Sequence, residues 1–156
     1  MRVCVVGGTG NISTSIVRLL QEVGHEVTVF NRGTKDIPMP GVKALKGDLK
    51  DRPAFEAAMQ TQRFDAAIHM ICFDADDARS ALRAFRDVKH LVYCSTVCTY
   101  GIQYDWLPVT EDHPLRPTTD YGRNKVAADR IFLEAHYRDG FPISQFVDRI
   151  AEYVAE

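Results

Sequence analysis

Short runs rich in β-branched residues alternate along this chain with segments that have helical periodicity. The strand-like runs are Arg2–Val6, Glu26–Phe30, Val42–Lys46, Asp65–Ile71 and His90–Cys94. A helix is predicted after the first run, and Gly24 is expected to end it. One face of this helix is apolar and carries Ile12, Ile16, Leu19, Leu20 and Val23. Further helices are predicted after Asp51 and Pro53, over Ala75–Phe85 and over Tyr121–His136. Such alternation predicts an α/β fold, a parallel sheet with helices on both faces.

Length and charge narrow the class of protein. A chain of 156 residues is long enough for one domain with a core and short for two. Its 19 Lys and Arg against 21 Asp and Glu do not favour a nucleic-acid or anionic-membrane binder. The early apolar run Val3–Val6 is too short to cross a bilayer and lacks a signal-peptide cleavage pattern. The chain has four cysteines: Cys4, Cys72, Cys94 and Cys98. Their spacing is not that of paired metal ligands, so we expect no metal site. We interpret them as reduced thiols and therefore expect a cytoplasmic protein.

A glycine-rich turn follows the first strand directly. It runs Gly7-Gly8-Thr9-Gly10-Asn11-Ile12-Ser13 and leads into the first predicted helix. Its glycines let the backbone turn tightly and approach a pyrophosphate, which the start of the helix attracts. Because a strand and an amphipathic helix flank it, the pattern predicts dinucleotide binding in a Rossmann-type, doubly wound sheet. A plain βα turn, the alternative, would not need three glycines. The expected cofactor contacts here are Gly7, Gly10, Asn11 and Ile12.

The end of the second strand bears on which nucleotide binds. An acidic residue there would accept the ribose 2′-hydroxyl of NAD, whereas this chain has Asn31-Arg32. A guanidinium beside a neutral amide suits the 2′-phosphate of NADP. NADP is therefore favoured, with NAD as the alternative. On the other interpretation, Arg32 is a solvated residue in the turn before Gly33.

Tyr121 and Lys125 are four residues apart in the last predicted helix, so they lie on one face, a turn apart. A nearby ammonium favours the phenolate and would let Tyr121 act as a base. The spacing is common on protein surfaces. It gains weight from Ser95-Thr96, whose hydroxyls follow the fifth strand, at the edge where α/β sheets bind ligands.

Together these motifs resemble the extended short-chain dehydrogenase/reductase family, in its group of NAD(P)-dependent epimerases and dehydratases. The resemblance covers residues 1–143, interpreted as an NAD(P)-binding domain. It rests on the Gly7–Ser13 turn, Gly47-Asp48-Leu49, Ser95-Thr96, Tyr100-Gly101, Thr110–Pro117 and Tyr121-x-x-x-Lys125.

The resemblance implies a role for each matching residue. Thr96 would bind the substrate hydroxyl, with Ser95 as the rival for that role and a further cofactor contact. Tyr121 would be the acid/base, while Lys125 would hold the nicotinamide ribose and lower the tyrosine pKa. Asp48 and Leu49 would contact the adenine. The implied partner is a small molecule, such as a nucleotide sugar.

Three departures from the family pattern bear on function. The Asp-Glu pair of sugar dehydratases is replaced by Val97-Cys98, which favours epimerisation or reduction. The segment Phe73–Val88 lacks the asparagine that supports the family's lysine. Residues 144–156 are predicted to be a helical tail in which Ser144 caps a stripe of Phe146, Val147, Ile150, Ala151 and Val154. The family's substrate lobe does not follow, so we expect a fragment, a chain lacking a stretch, or a divergent short form.

We therefore predict an NADP-dependent oxidoreductase or epimerase that acts on a hydroxyl of a nucleotide sugar or related molecule. The alternatives are an inactive fragment and a non-catalytic NADP-binding module, either a redox sensor or an RNA-associated relative. In the long loop Gly101–Thr119, Trp106 either covers the site or anchors the loop, and Glu111, Asp112 and His113 are interpreted as solvated or structural. His69 is interpreted as a packed histidine. The apolar face of the Tyr121 helix either packs on the sheet or, as in members of this family, forms a homodimer surface.

Overall fold

In the described part of the chain, six parallel strands form one sheet against which four α-helices pack. The computed structural model describes residues 1–34 and 39–148. The strands are β1 (Arg2–Val6), β2 (Glu26–Asn31), β3 (Lys43–Lys46), β4 (Ala66–His69), β5 (His90–Thr96) and β6 (Ile143–Asp148). Their order across the sheet is β3-β2-β1-β4-β5-β6. The strand order reverses between β1 and β4, where doubly wound sheets bind ligands, and the Rossmann-type prediction is confirmed.

The helices begin at the capping residues that the sequence supplies. They are α1 (Asn11–Glu22), α2 (Arg52–Gln62), α3 (Ala75–Ala84) and α4 (Asp120–Asp139). Side-chain oxygens of Asp51, Asp74 and Thr119 accept backbone N–H groups in the first turns of α2, α3 and α4. A short 3₁₀ turn, Val97–Thr99, follows β5. Within residues 1–34 and 39–148, no helix combines the length and the apolar character that crossing a bilayer requires.

Both faces of the sheet are covered, but unequally. On one face, Val17 of α1 packs with Val5, Val27 and Val29 of the strands. On the other face, α2, α3 and α4 pack on a larger cluster that includes Phe30, Phe55, Phe85, Leu91, Tyr93 and Phe132. The rings of Phe30 and Phe55 lie 5.0 Å apart, and those of Tyr93 and Phe132 lie 4.6 Å apart. This larger core fixes α4 beneath the carboxyl end of β5.

Residues 144–148 belong to β6, which corrects the helical tail predicted from Ser144 onward. The strand pairs in parallel with β5, from Leu91 opposite Ile143 to Thr96 opposite Asp148. This ladder pairs the backbone of six consecutive residues, and it decides the local structure over a short apolar stripe. The Ser144 hydroxyl lies 2.9 Å from His90 Nε2 instead of capping a helix. Three members of the predicted stripe lie outside the described residues: Ile150, Ala151 and Val154.

Candidate active site

The glycine turn after β1 has no room for side chains. A Cβ atom at Gly7 would lie 2.7 Å from Cγ2 of Ile71, and one at Gly8 would lie 2.7 Å from Cγ2 of Val29. Gly7 also has a φ of +83°, a conformation that glycine adopts without strain. The turn therefore brings the start of α1 close against the sheet.

Ser13, at the third glycine position, closes this turn with its buried hydroxyl. The hydroxyl donates to Gly7 O at 2.7 Å and accepts from Gly10 N at 2.8 Å. The first turn of α1 contains no acidic residue. The positive end of the helix dipole therefore suits an anion. The predicted cofactor contacts Asn11 and Ile12 are the first two residues of this helix.

A cavity of about 270 Å³ lies beside the turn, at the carboxyl ends of β2 and β3. Ile71, which contacts the Gly7 turn, also lines this cavity, so the two features are continuous. The structure brings together here all four residues predicted to select and hold the adenosine end: Asn31, Arg32, Asp48 and Leu49. The cavity also has one wall that sequence reasoning missed, the ring of Phe73.

Asn31 lines this cavity and carries a hydrogen-bond donor that is not satisfied within the described residues. Its Oδ1 accepts Gly33 N at 2.8 Å, whereas its buried Nδ2 has no hydrogen-bond partner among the described residues. An unsatisfied buried amide donor costs free energy, roughly 1–3 kcal/mol, which a ligand oxygen would recover. Residues 1–34 and 39–148 likewise contain no hydrogen-bond or ion-pair partner for the exposed Arg32 guanidinium.

Ser95 and Thr96 end β5, but their hydroxyls have different surroundings. Thr96 Oγ1 accepts Cys98 N at 3.3 Å and so begins the 3₁₀ turn. Ser95 Oγ lies 2.9 and 3.0 Å from the two carboxylate oxygens of Asp129, to which it donates. Burial raises the pKa of Asp129. Sequence reasoning missed Asp129, although its position four residues after Lys125 puts both on one face of α4.

Tyr121 lies in the first turn of α4, and its neighbour Gly122 sets how closely that turn packs. A Cβ atom at Gly122 would lie 2.5 Å from Cys98 O, so α4 lies directly against the turn that follows Thr96. Tyr121 is 44% exposed, and its ring centroid is 6.5 Å from that of Phe73. The candidate acid/base therefore faces solvent at the margin of the cavity that Phe73 lines.

Lys125, one turn further along α4, is only 2% exposed. Its Nζ donates to Cys94 O at 2.6 Å and to Cys72 O at 2.8 Å, and it lies 4.4 Å from the centroid of the Tyr93 ring. Burial lowers the pKa of this ammonium. Two backbone carbonyls, one within β5 and one in the segment that follows β4, thus hold the lysine.

The long loop between β5 and α4 packs around His113. This buried imidazole accepts Asp105 N at Nε2, at 2.9 Å, and its ring centroid lies 4.7 Å from that of Trp106. Trp106 itself donates to Thr110 Oγ1 at 3.2 Å. Glu111 and Asp112 are exposed. His113 therefore has a structural place in the loop, and Trp106 is one of its anchors.

His69 and the cysteines show no site of their own. His69 is fully buried on β4 against the Phe55 ring, and burial lowers its pKa to about 3. Burial raises the pKa of the Cys4 and Cys72 thiols, which makes them poor nucleophiles. No group of His, Cys, Asp and Glu that could hold a metal ion occurs within the described residues.

Comparison with known proteins identifies a family. The model of the NAD-dependent epimerase/dehydratase family matches residues 3–145. A 2′-dehydrokanamycin reductase from Streptomyces kanamyceticus is 34% identical over 141 residues, which are 90% of this chain and 40% of that protein. A UDP-glucose 4-epimerase from Lactobacillus helveticus is 31% identical over 161 residues, 90% of this chain and 48% of that protein.

Solved structures show the same fold. The crystal structure of UDP-glucose 4-epimerase from Brucella ovis in complex with NAD superposes with a TM-score of 0.83 at 22% identity. The match covers 94% of this chain and 51% of that one. The present chain therefore spans about half the length of the relatives that it matches, or less.

Proposed function

Because the chain belongs to the NAD-dependent epimerase/dehydratase family, we propose that it forms the cofactor-binding and catalytic half of an NADP-dependent oxidoreductase or epimerase. Its substrate is a nucleotide sugar or a related small molecule, and the reacting group is a hydroxyl of that molecule. The observation that carries the proposal is the pair on α4: exposed Tyr121 one turn before buried Lys125, with the latter held by the carbonyls of Cys72 and Cys94.

The residues at the edge of the sheet fit a dinucleotide. The Gly7–Gly8 backbone packs tightly against Ile71 and Val29 because it has no side chains, and the start of α1 beside it provides N–H groups and a positive dipole end for a pyrophosphate. Asn31 supplies a buried donor without a partner among the described residues, and Arg32 supplies a positive charge. No acidic residue stands at the end of β2 to repel a 2′-phosphate, which supports NADP over NAD.

Each catalytic side chain has one task. When bound, the nicotinamide ring supplies the hydride acceptor or donor. Tyr121 takes the proton from the substrate hydroxyl or returns it, Lys125 holds the ribose side of the site, and Thr96 orients the substrate oxygen. Ser95 donates a hydrogen bond to Asp129 and so links the end of β5 to α4. Val97 and Cys98 offer no carboxylate for an elimination, so dehydration ranks below epimerisation and reduction.

The choice between these two reactions has support on both sides. The UDP-glucose 4-epimerase relative supports epimerisation of a nucleotide sugar. The 2′-dehydrokanamycin reductase relative supports plain reduction. In both reactions Tyr121 would transfer a proton at the same oxygen, so the proposed roles do not depend on which one occurs.

The test is the substitution Tyr121→Phe, which removes only the hydroxyl. We expect turnover with a panel of UDP-sugars to fall by about 10²–10⁴ while NADPH binding, followed by fluorescence, stays unchanged. Tyr137→Phe, at an exposed position of the same helix, is the matched control. Full turnover by Tyr121→Phe would remove the tyrosine from the reaction. NADPH binding without turnover of any substrate by the wild-type chain would favour the non-catalytic module.

A further inference from the structure

Lys46 ends β3 beside the turn that carries Asn31 and Arg32. The two strands pair in parallel, with Lys46 opposite Asn31. Gly47 N donates to Asn31 O at 3.0 Å, which continues the pairing past the end of the ladder. The backbone of Lys46 is therefore fixed next to the residue that presents the unsatisfied amide donor.

The side chain of Lys46 runs across this turn because Gly33 has no side chain. A Cβ atom at Gly33 would lie 2.8 Å from Cδ of Lys46 and 3.0 Å from its Cε. Gly33 has a φ of +73°, in the region that favours glycine. The aliphatic stem of the lysine thus lies on the Gly33 backbone, one residue beyond Arg32.

Lys46 and Arg32 differ from two nearby lysines, Lys43 and Lys50, which form ion pairs. Neither the Lys46 side chain nor that of Arg32 has an ion-pair or hydrogen-bond partner within residues 1–34 and 39–148. Lys43, at the other end of β3, pairs with Glu26 at 3.2 Å. Lys50, beyond the end of β3, lies 3.6 Å from Asp77. Of these two cations, which have no partner in the described part of the chain, Arg32 belongs to the Asn31–Gly33 turn and Lys46 lies against its Gly33 end.

We propose that Lys46 is a specificity-determining residue, the second cation that binds the 2′-phosphate of NADP. This inference rests on the proposed preference for NADP and names what enforces it. A phosphate monoester carries a charge of about −1.5 to −2 at neutral pH, which one arginine leaves partly uncompensated. Arg32 supplies a planar fork, Asn31 Nδ2 a neutral donor, and Lys46 a compact charge from the β3 side.

Two fragments of the cofactor isolate this contact. Adenosine 2′,5′-bisphosphate and 5′-AMP differ only in the 2′-phosphate, and their dissociation constants can be measured by calorimetry. We expect the wild-type chain to bind the bisphosphate more tightly. Lys46→Gln should weaken its binding about five- to tenfold and leave 5′-AMP unchanged, because an exposed charge contact to a phosphate is worth about 1 kcal/mol. Lys46→Arg should retain most of the preference, and Lys43→Gln is the matched control.

The outcomes separate this inference from the function on which it rests. If the wild-type chain binds both fragments equally, the NADP proposal fails and the role of Lys46 fails with it. If the wild-type chain prefers the bisphosphate and Lys46→Gln keeps that preference, Lys46 is a solvated edge residue and only this inference is overturned. Equal weakening of both fragments by Lys46→Gln would also overturn it. A bisphosphate affinity that depends less on salt in Lys46→Gln would support it.

Discussion

His69 shows at the scale of one residue how burial sets the protonation of a side chain. Neither ring nitrogen has a hydrogen-bond partner among the described residues, and the ring packs edge-on against Phe55 at a centroid distance of 6.2 Å. Burial, and then the charge of Lys125, lower its pKa from the usual 6.5 to about 3. His69 is therefore a neutral core residue at physiological pH, and it has no hydrogen-bond partner among the described residues.

This burial makes stability depend on pH in a defined direction. Between pH 6.5 and 3 the unfolded chain binds a proton at His69 and the folded chain does not, so the free energy of unfolding falls as the pH falls. The slope from this group is at most about 1.4 kcal/mol per pH unit. In urea titrations at pH 7 and pH 5, His69→Leu should lose less stability than the wild-type chain. Equal losses in both proteins would show that His69 does not titrate this way.

At the scale of one element, the loop between β5 and α4 depends on His113. The imidazole accepts one backbone N–H, and three aromatic rings surround it at centroid distances of 4.7–5.8 Å: Tyr100, Tyr104 and Trp106. Arg116 adds a bidentate pair with Asp105, at 2.6 and 2.9 Å. The loop therefore has a small aromatic cluster of its own around His113.

Trp106 is the only tryptophan, so its fluorescence reports on this loop. We expect His113→Ala to shift the emission of Trp106 to longer wavelength, because the ring loses its packing partner and meets more water. The free energy of unfolding should fall by roughly 1–3 kcal/mol. His25→Ala, in the turn before β2, is the control and should leave the emission unchanged. An unchanged spectrum in His113→Ala would mean that the loop holds its shape without the histidine.

Regular elements and backbone motifs are predictable from this sequence because local signals specify them. Glycines, caps and apolar periodicity place β1, α1 and the turn at Gly7 without tertiary information. The strand at Ser144 is not predictable in this way, since its pairing with β5 joins segments about fifty residues apart. The same holds for Lys125: its spacing from Tyr121 is visible in the sequence, but the carbonyls that hold it belong to Cys72 and Cys94.

At the scale of the whole molecule, the residues proposed to hold the cofactor all belong to the described residues, and they cluster at the edge formed by the carboxyl ends of the strands. The chain spans 40% and 48% of two relatives, and it contains every residue proposed to hold the cofactor. We therefore expect the chain to bind NADPH by itself. At a free concentration of 100 times the dissociation constant, NADPH should raise the free energy of unfolding by about 2.7 kcal/mol in urea titrations. No shift in the urea midpoint would mean that the cofactor edge is not competent alone.

The position of β3 has a consequence for how this molecule behaves at high concentration. β3 forms one border of the sheet and is four residues long, with a lysine at each end. An unpaired border strand can recruit a strand from another molecule, and short length and positive charge both oppose that association. Lys43 and Lys46 thus oppose such pairing, and we expect hydrophobic replacements at these two positions to make the border prone to aggregation.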